Sequence, residues 1–410
     1  MKHGDVNGCE SVAFLVVGCG PAGATAAREA ARRGVATLVL ERDAVVGEKR
    51  VCAAGLRPGF CETFDLPRSL VHCDTPRLAL FDAAGAEHEV FFGPGHTTTR
   101  EELDGTMGAL ALRSGAEVRT RALFRSVEAA DGGARVEYAD LATGQRRFVS
   151  TRHVFFATGA SARLDAAAFG RLAEARWRDG LMTTLQYRVY LARAAAPVAY
   201  RTLEMHYYPA RDGRQIIGWM FPKRDHLAIG LGVMGKIDGA SLRAELDALE
   251  GRVRERLYPG SDVLGRKQEG SLLYGGMPRP GLDDGALLVG GTAAGLVDAT
   301  NGEGIYEAAM SGRIAADCVA RQRNRAGSAG GRYAALVNGR FARRLSHRVR
   351  LMRYLERRPA RFAALFEQLA RTPRLTAVLH MEDCERTMSD RLYLYRQALR
   401  FGIRTLACRE

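Results

Sequence analysis

Short apolar runs alternate with alanine-rich stretches at the start of the chain, and this pattern predicts alternating strands and helices. Residues 12–17 form an aliphatic run of strand length, and residues 24–33 are rich in residues that favour helix. Gly34 ends that helix, and residues 37–40 form a second aliphatic run. Strands and helices in this order are typical of a parallel sheet, which places this part of the chain in the α/β class.

The middle and the end of the chain have different patterns. Short apolar or aromatic runs bounded by Gly, Pro or Asp predict strands of a second sheet, at residues 78–80, 89–92, 185–191, 203–208, 215–221 and 227–233. Beyond residue 330 no run has strand character, so we expect helices there, with breaks at Pro359 and Pro373. The chain as a whole is therefore expected to be α+β.

The turn after the first strand has the glycine spacing of dinucleotide-binding folds, in the sequence Gly18-Cys19-Gly20-Pro21-Ala22-Gly23. Gly18 permits the tight turn, Gly20 lets a pyrophosphate approach the backbone, and Gly23 allows close helix–strand packing. The following helix would present free N–H groups and the positive end of its dipole to the diphosphate. Glu41 ends the second strand, about 20 residues on, where an acid accepts hydrogen bonds from the ribose hydroxyls. This unit predicts a Rossmann-like dinucleotide site.

Two later segments favour FAD over a nicotinamide cofactor alone. Residues 154–159 form a strand run that ends in a small-residue turn, as where the chain of a flavin domain returns to its sheet. Residues 287–291 form another such run and are followed by a candidate cofactor set, Thr292, Gly295, Gly302, Gly304 and Ile305. Residues 304–319 are alanine-rich and helical in pattern, so their N-terminus would point at the flavin ring or the ribityl chain.

The composition is that of a globular protein with a large core: 410 residues, 47% hydrophobic and 26% charged. No apolar run approaches the ~18–20 residues that span a bilayer. The eight cysteines lack paired spacing, and neither CxxC nor HExxH occurs. We therefore expect reduced thiols, a cytoplasmic location and no bound metal.

The net charge of +14 is concentrated near the end of the chain. The block from Arg321 to Arg358 holds twelve arginines and one acid, Glu356. Several of these arginines alternate with apolar residues, which predicts a helix at an anionic membrane surface. The alternative is that they pair with acids elsewhere in the fold. A non-enzymatic adaptor for nucleic acid or membrane is disfavoured because so much of the sequence forms a cofactor site, and no nucleic-acid partner is predicted.

These motifs give the chain a family resemblance. It resembles the geranylgeranyl reductases, FAD enzymes of the p-hydroxybenzoate hydroxylase-like fold that include the chlorophyll and bacteriochlorophyll prenyl reductases. Besides the first glycine turn, the matching segments are Gly47-Glu48-Lys49-Arg50-Val51-Cys52, Arg100 at a helix start, Gly218-Trp219-Met220-Phe221-Pro222-Lys223 with Asp225-His226, Gly230-Leu231-Gly232, and Ala293-Ala294-Gly295 through Gly302-Glu303-Gly304-Ile305-Tyr306.

The resemblance implies how the chain is organised. A Rossmann-like FAD-binding domain would comprise residues 1–60, 100–163 and 280–330. A substrate-binding sheet domain, residues 61–99 and 164–279, would be interleaved with it. A C-terminal helical region, residues 331–410, would follow.

Three departures from the family pattern leave the substrate open. Thr292 stands where the family has Asp in a Gly-Asp-Ala-Ala-Gly motif that contacts the ribityl chain. The segment Cys52-Ala53-Ala54-Gly55 replaces consecutive glycines after the cysteine. Thr158-Gly159 is all that remains of the Asp-Gly motif of the related hydroxylases. We still expect the flavin to bind.

The resemblance also implies site residues outside the glycine turn. Arg42, Lys49, Cys52 and Arg100 are predicted FAD contacts. Cys52 is the candidate catalytic residue, because a thiol beside the flavin would donate a proton, and Lys49 and Arg50 would favour its thiolate. The alternative is that Cys52 is a small buried hydrophobic residue.

Three aromatic residues on neighbouring predicted strands, Tyr207, Trp219 and Phe221, would line an apolar substrate slot. The alternative is that they belong to the core, since aromatic stripes are common there. A slot of this kind would take a hydrophobic small molecule.

The function implied is that of an FAD-dependent oxidoreductase that reduces isolated carbon–carbon double bonds of a prenyl, geranylgeranyl-type chain. Such an alkene has no electron sink, so its reduction needs an acid, a hydride and an apolar slot that excludes water. NADPH or reduced ferredoxin would recharge the flavin. The alternative is a flavin monooxygenase or halogenase acting on an aromatic or polyketide-like substrate. Lys49 fits the halogenases, which use a lysine near the flavin, but their paired tryptophans are absent.

Overall fold

A computed structural model of the chain describes residues 10–48, 52–90, 93, 95–130, 132–160, 180–192, 200–323 and 327–400. Lys49 and Arg50 lie outside the described residues, and so do Phe91 and Phe92, the end of one predicted strand. Predictions at these positions rest on the sequence alone.

The strands are β1 Glu10–Val17, β2 Thr37–Leu40, β3 Gly55–Leu56, β4 Cys73–Thr75, β5 Arg77–Phe81, β6 Glu87–Val90, β7 Gly95–Thr97, β8 Glu117–Arg119, β9 Ala122–Ala130, β10 Gly133–Asp140, β11 Arg146–Phe156, β12 Leu181–Leu191, β13 Thr202–Pro209, β14 Gln215–Pro222, β15 Leu227–Met234, β16 Val263–Tyr274, β17 Asp283–Asp284 and β18 Leu287–Val289. The α-helices are α1 Pro21–Arg32, α2 Phe60–Thr63, α3 Arg100–Arg113, α4 Gly239–Leu257, α5 Ile305–Gln322, α6 Gly330–Val337, α7 Arg343–Glu356, α8 Ala360–Arg371, α9 Pro373–His380 and α10 Met388–Arg400.

The first sheet places the dinucleotide-binding turn at the end of a central strand. Its order is β17-β18-β11-β1-β2-β8, and the strands from β18 to β8 run parallel. Val16 of β1 pairs with Phe155 on one side and Val39 on the other, so three of the predicted aliphatic runs lie next to each other. β9 and β10 extend β11 as antiparallel neighbours. The predicted α/β class with a Rossmann-like unit is confirmed.

The second sheet has seven strands in the order β16-β12-β15-β14-β13-β5-β6. Helix α4 covers one face, where Leu246 and Leu249 pack with Leu231 in a buried core. The other face meets the C-terminal helices, as in the contact cluster that contains Met205 and Phe362. The described residues of all six predicted strands belong to this sheet.

The remaining strand of this sheet, β16, was not predicted from the sequence, and the reason is physical. It lies at the edge of the sheet, and Tyr274 is the only one of its residues that is buried. An edge strand that is exposed along its length carries charged residues rather than an apolar alternation. The pattern of hydrophobic positions therefore has little power to find it.

The C-terminal part of the described chain is helical, as the sequence predicts. Helix α8 begins directly after Pro359, and α9 begins at Pro373. Within residues 10–400, wherever the structure is described, no helix is long and apolar enough to cross a membrane.

The block from Arg321 to Arg358 divides into inward and outward members. Three of its arginines pair with buried carboxylates: Arg340 with Glu382, Arg344 with Glu307 and Asp298, and Arg348 with Asp298. Others are exposed: Arg332, Arg343, Arg353, Arg357 and Arg358. The alternative of pairing within the fold therefore holds for the inward members, and contact of the outward ones with a membrane surface stays a prediction.

Candidate active site

The glycine turn between β1 and α1 is possible only because it lacks side chains at two points. Gly18 has φ +96°, and a Cβ there would lie 2.6 Å from the carbonyl oxygen of Ala157. A Cβ on Gly23 would lie 1.9 Å from the carbonyl oxygen of Gly18. Gly20 differs, because the nearest atoms to its Cβ position are those of Arg100, at 3.6 Å, and Asp104, at 3.9 Å. A Cβ on Gly20 would therefore be in ordinary contact with these two side chains, and its absence leaves room in front of α1, as close approach of a pyrophosphate requires.

Glu41 lies directly after β2 with its carboxylate buried beside this turn. Oε2 accepts a hydrogen bond from the backbone N–H of Cys19 at 2.7 Å, and Oε1 accepts one from the N–H of Asp43 at 3.0 Å. These bonds orient the Glu41 carboxylate beside the turn, on the side where the ribose of a dinucleotide is expected. Arg42 is half-exposed and its Nε lies 3.4 Å from Asp43, so its cofactor contact remains a prediction.

Arg100 begins α3 and brings a fixed cation to the front of the glycine turn. Its guanidinium donates to both carboxylate oxygens of Asp104, at 2.9 and 2.7 Å. Burial by itself lowers the pKa of Arg100, but Asp104 and Cys52 together raise it above its usual value. The guanidinium therefore stays charged next to the space at Gly20, where a diphosphate would need a counterion.

The 3-10 turn Gly291–Ala294 forms the second wall of the site. Gly291 has φ +59°, and its Cβ position lies 3.2 Å from Ala22 of α1 and 3.3 Å from Ala308 of α5. A Cβ on Gly312 of α5 would lie 2.0 Å from the carbonyl oxygen of Ala22. The first turn of α1 and the first half of α5 are therefore in backbone contact, with the turn that carries Thr292 next to them.

The loop from Asp298 to Gly304 leads into α5 and is held by its own polar groups. Asp298 accepts hydrogen bonds from the backbone N–H and the hydroxyl of Thr300, at 2.9 and 2.6 Å. Asn301 accepts one from the backbone N–H of Glu303 at 2.9 Å. Gly302 has φ +74°, and Gly304 precedes Ile305, the first residue of α5. The predicted cofactor residues at 302–305 thus belong to one structured loop at a helix N-terminus.

A buried network of ion pairs ties this loop to distant parts of the chain. Arg57 bridges Glu303 and Glu307, both at 2.7 Å. Arg344 of α7 also pairs with Glu307. Burial raises the pKa of Glu303, but Arg57 outweighs this and holds it below its usual value. Sequence reasoning did not find this network, since its partners are about 250 residues apart and no spacing rule joins them.

Several features of this region fit FAD. Gly20 leaves room for a pyrophosphate, Glu41 is placed for a ribose, and two helices, α1 and α5, begin here. The hydroxyl of Thr158, next to Gly18, is buried and has no hydrogen-bond partner among the described residues. An orphaned buried hydroxyl is costly unless a ligand satisfies it. No cluster of metal-ligating side chains occurs in the described part of the chain.

Cys52 is half-buried and lies in the segment just before β3. Its Sγ accepts a hydrogen bond from the backbone N–H of Ala54 at 3.3 Å, and it also interacts with Arg100. Lys223, which follows β14, donates to the carbonyl oxygens of Ala53 and Ala54, the latter at 3.5 Å. The sequence motif that ends in Lys223 carries the resemblance, but sequence reasoning gave this lysine no role.

The three predicted slot aromatics share one face of the second sheet but differ in surroundings. Phe221 lies over Gly55, where a Cβ would be 2.6 Å from its ring, so it contacts the segment that follows Cys52. Trp219 is half-buried and donates from Nε1 to Gln186 at 3.0 Å.

Tyr207, the third aromatic, is covered by helix α8. Its ring lies 5.3 Å from that of Phe362 and 5.0 Å from that of Phe366. Its hydroxyl donates to the carbonyl oxygen of Thr300 at 2.8 Å. The structure therefore brings Phe221 to Gly55, in the segment that follows Cys52, whereas Tyr207 is bound to the loop before α5.

Comparison with known proteins gives consistent relatives. No family model matches the chain. Digeranylgeranylglycerophospholipid reductase 1 of Methanopyrus kandleri is 31% identical over 316 residues, which cover 74% of this chain and 79% of that protein. Geranylgeranyl diphosphate reductase of Synechocystis is 26% identical over 325 residues, 75% of each chain. A geranylgeranyl bacteriochlorophyll reductase-like structure from Thermoplasma acidophilum has a TM-score of 0.71 at 21% identity, covering 94% of this chain and 96% of that one. A flavin-dependent brominase and a monooxygenase share the fold.

Proposed function

The chain belongs to the geranylgeranyl reductase family of FAD-dependent oxidoreductases, and from that premise we propose that it reduces isolated carbon–carbon double bonds of a prenyl chain. The relatives are named for geranylgeranyl diphosphate and for digeranylgeranylglycerophospholipid, both of which carry such chains. In this proposal the FAD is held by residues of the glycine turn, the two later loops and the segments between them: Gly18, Gly20, Pro21, Ala22, Gly23, Glu41, Arg42, Lys49, Cys52, Arg100, Thr292, Gly295, Gly302, Gly304 and Ile305.

The observation that carries the proposal is the meeting of three parts at Cys52. The thiol interacts with Arg100, whose guanidinium lies at the glycine turn. The segment after the thiol packs under Phe221 of the second sheet. The thiol, the glycine turn and the ring of Phe221 come from separate segments of the chain and meet in one region, which supports their proposed roles as proton donor, cofactor site and apolar wall.

The residues at this junction suit the chemistry of an unactivated alkene. When bound, reduced FAD supplies the hydride. An isolated alkene has no group that could take up the electrons of an added hydride, so it must also receive a proton. In the proposal, the Cys52 thiol holds this proton. Phe221 and Trp219 form an apolar wall that excludes water, and their ring faces favour the positive charge that protonation creates.

The proposal also includes the electron donor that reduces the flavin. NADPH or reduced ferredoxin would recharge the flavin. Anaerobic titration of the purified flavoprotein with each donor, followed by the loss of flavin absorbance, distinguishes the two.

The proposal is tested by turnover with prenyl substrates. Anaerobically reduced enzyme is mixed with geranylgeranyl diphosphate or a geranylgeranylated glycerophospholipid, and flavin reoxidation is followed together with the product mass. We expect reoxidation coupled to a gain of two hydrogens for each bond reduced. Cys52→Ser should keep its FAD and slow this step at least about tenfold, whereas Cys384→Ser, a change at an exposed thiol, should not.

The competing function is oxygen chemistry, as in the brominase and the monooxygenase that share the fold. It predicts that reduced enzyme mixed with air forms a transient oxygenated flavin and that prenyl substrates leave the reduced flavin unchanged. That pair of results, with FAD present, would overturn the proposal.

Peripheral membrane association is a further part of the proposal. The outward arginines of the block from Arg321 to Arg358, with Arg353, Arg357 and Arg358 close together, support contact with an anionic lipid surface. A prenylated lipid substrate would be reached from such a surface.

A further inference from the structure

Lys223 is a buried cation aimed at the segment that follows Cys52. Its side chain is 1% exposed, and Nζ donates to the carbonyl oxygens of Ala53 and Ala54. Burying an ammonium group is costly unless its donors are satisfied. The acceptors that satisfy it here are backbone atoms of the two residues directly after the thiol.

We propose that Lys223 is a positioning residue that fixes the backbone next to Cys52 and places a positive charge beside its thiol. It acts through these carbonyls and through its charge. Its relevance to catalysis rests on the proposed function, in which Cys52 handles the proton.

Other contacts show that this corner of the fold is clamped. The backbone N–H of Thr98 donates to the carbonyl oxygen of Ala54 at 3.0 Å. The hydroxyl of Thr97 donates to the carbonyl oxygen of Pro222 at 2.6 Å, which ties β7 to the residue before Lys223. The backbone N–H of Lys223 donates to the carbonyl oxygen of His226 at 2.8 Å. The backbone around Lys223 is therefore fixed on both sides, with its ammonium group on the Ala53 and Ala54 carbonyls.

The charge of Lys223 is sensitive to pH near neutrality. Burial lowers its pKa to about 7, and the negative charge on Cys52 acts in the opposite direction. The lysine is charged below its pKa and neutral above it. Its effect on Cys52 must therefore be largest below pH about 7 and fade as the pH rises.

The remaining groups that act on this pair come from several elements: Cys73 of β4, Glu101 and Arg100 of α3, Arg188 of β12, and His72 and His226 in loops. Burial lowers the pKa of both histidines, that of His226 to about 4, so they stay neutral where Lys223 titrates. Arg100 and Arg188 keep their charge over the whole range, because the pKa of each is raised by its carboxylate partners.

The test measures the reactivity of the thiol on FAD-loaded protein without any prenyl substrate. In a Cys384→Ser background, iodoacetamide labelling of Cys52 is quantified by peptide mass spectrometry from pH about 5.5 to 9. Lys223→Met should slow labelling about tenfold at pH about 6, where the lysine is charged, and leave it unchanged at pH about 9. Arg224→Met removes a neighbouring charge whose side chain is 54% exposed, and it should keep the wild-type profile.

Two further variants separate charge from packing. Lys223→Gln keeps a donor for the carbonyls without the charge, and it replaces Lys223→Met if that protein fails to fold or to hold FAD. Lys223→Arg keeps the charge at every pH, so its labelling should stay fast at pH about 6 and exceed that of wild type at pH about 9.

A labelling rate of the uncharged variants that equals wild type at every pH, or differs from it by one constant factor, would overturn the proposal. Because no substrate is present, this outcome is independent of whether prenyl chains are reduced. Failure of prenyl reduction would in turn leave the labelling result untouched.

Discussion

Gly312 of α5 tests how tightly the cofactor site is built, because one added methyl group there would meet the backbone of α1. A Cβ on Gly312 would lie 2.0 Å from the carbonyl oxygen of Ala22 and 2.9 Å from the backbone nitrogen of Ala26, whereas ordinary contacts begin at 3.4 Å. Backbone atoms inside a helix cannot move individually. The two helices would therefore have to separate by more than about 1 Å in an interior packed at crystal density.

We expect Gly312→Ala to lower the free energy of unfolding by about 2 kcal/mol. Overpacking of this kind costs about 3 kcal/mol, and the better helix propensity of alanine offsets about 1 kcal/mol of that. Since Ala22 belongs to the first turn of α1, the same displacement should weaken FAD binding.

Urea unfolding followed by tryptophan fluorescence, together with FAD titration of the apoprotein, measures both effects. The matched control is Gly251→Ala in the interior of α4, where a Cβ would meet no atom within 4 Å. That change should be neutral or raise stability by up to about 1 kcal/mol. If Gly312→Ala is as stable as Gly251→Ala and binds FAD like the wild type, α1 and α5 do not pack as closely as described above.

Two further predictions concern the cofactor and the membrane. Gly20→Val should give folded protein with little FAD, because the valine side chain enters the space in front of α1. Flavin absorbance per protein measures this, and the control is Gly239→Val, at a helix start where a Cβ meets no atom within 4 Å. Wild-type flavin content in Gly20→Val would contradict the prediction. The outward arginines predict cosedimentation with anionic but not neutral vesicles, lost in 1 M salt as the Debye length falls to about 3 Å. If all of the protein stays in the supernatant with both vesicle types at low salt, these arginines do not bind a lipid surface and the prediction is wrong.

The parts of the fold that sequence reasoning found are those with local causes. Gly18 and Gly23 must lack a Cβ atom because it would meet backbone of the adjacent segment or of the turn itself. Buried parallel strands are aliphatic along their whole length, so β1, β2 and β18 are visible as runs. Such signals require no knowledge of what lies elsewhere in the chain.

The parts that sequence reasoning missed depend on partners far along the chain. A run of arginines with a single acid favours a surface role, yet Arg344 is 2% exposed because Glu307 and Asp298 face it across the fold. Only the three-dimensional arrangement makes that pairing known. The same holds for Lys223, whose burial against the Ala53 and Ala54 carbonyls turns a surface-type residue into a part of the site.

Ala54 shows how the departure from the family pattern is accommodated. Its φ is +48°, in the left-handed region that favours glycine and costs alanine about 1–2 kcal/mol. The carbonyl oxygen of Ala54 accepts hydrogen bonds from Thr98 and Lys223, and the N–H of Ala54 donates to Cys52. These bonds together stabilise a backbone conformation that is unfavourable for alanine by itself. A strained backbone conformation next to a candidate catalytic thiol is retained only because the surrounding contacts hold it. The alanine in place of glycine also narrows the conformations open to the segment, which favours a Cys52 held in one position over one that moves during the reaction.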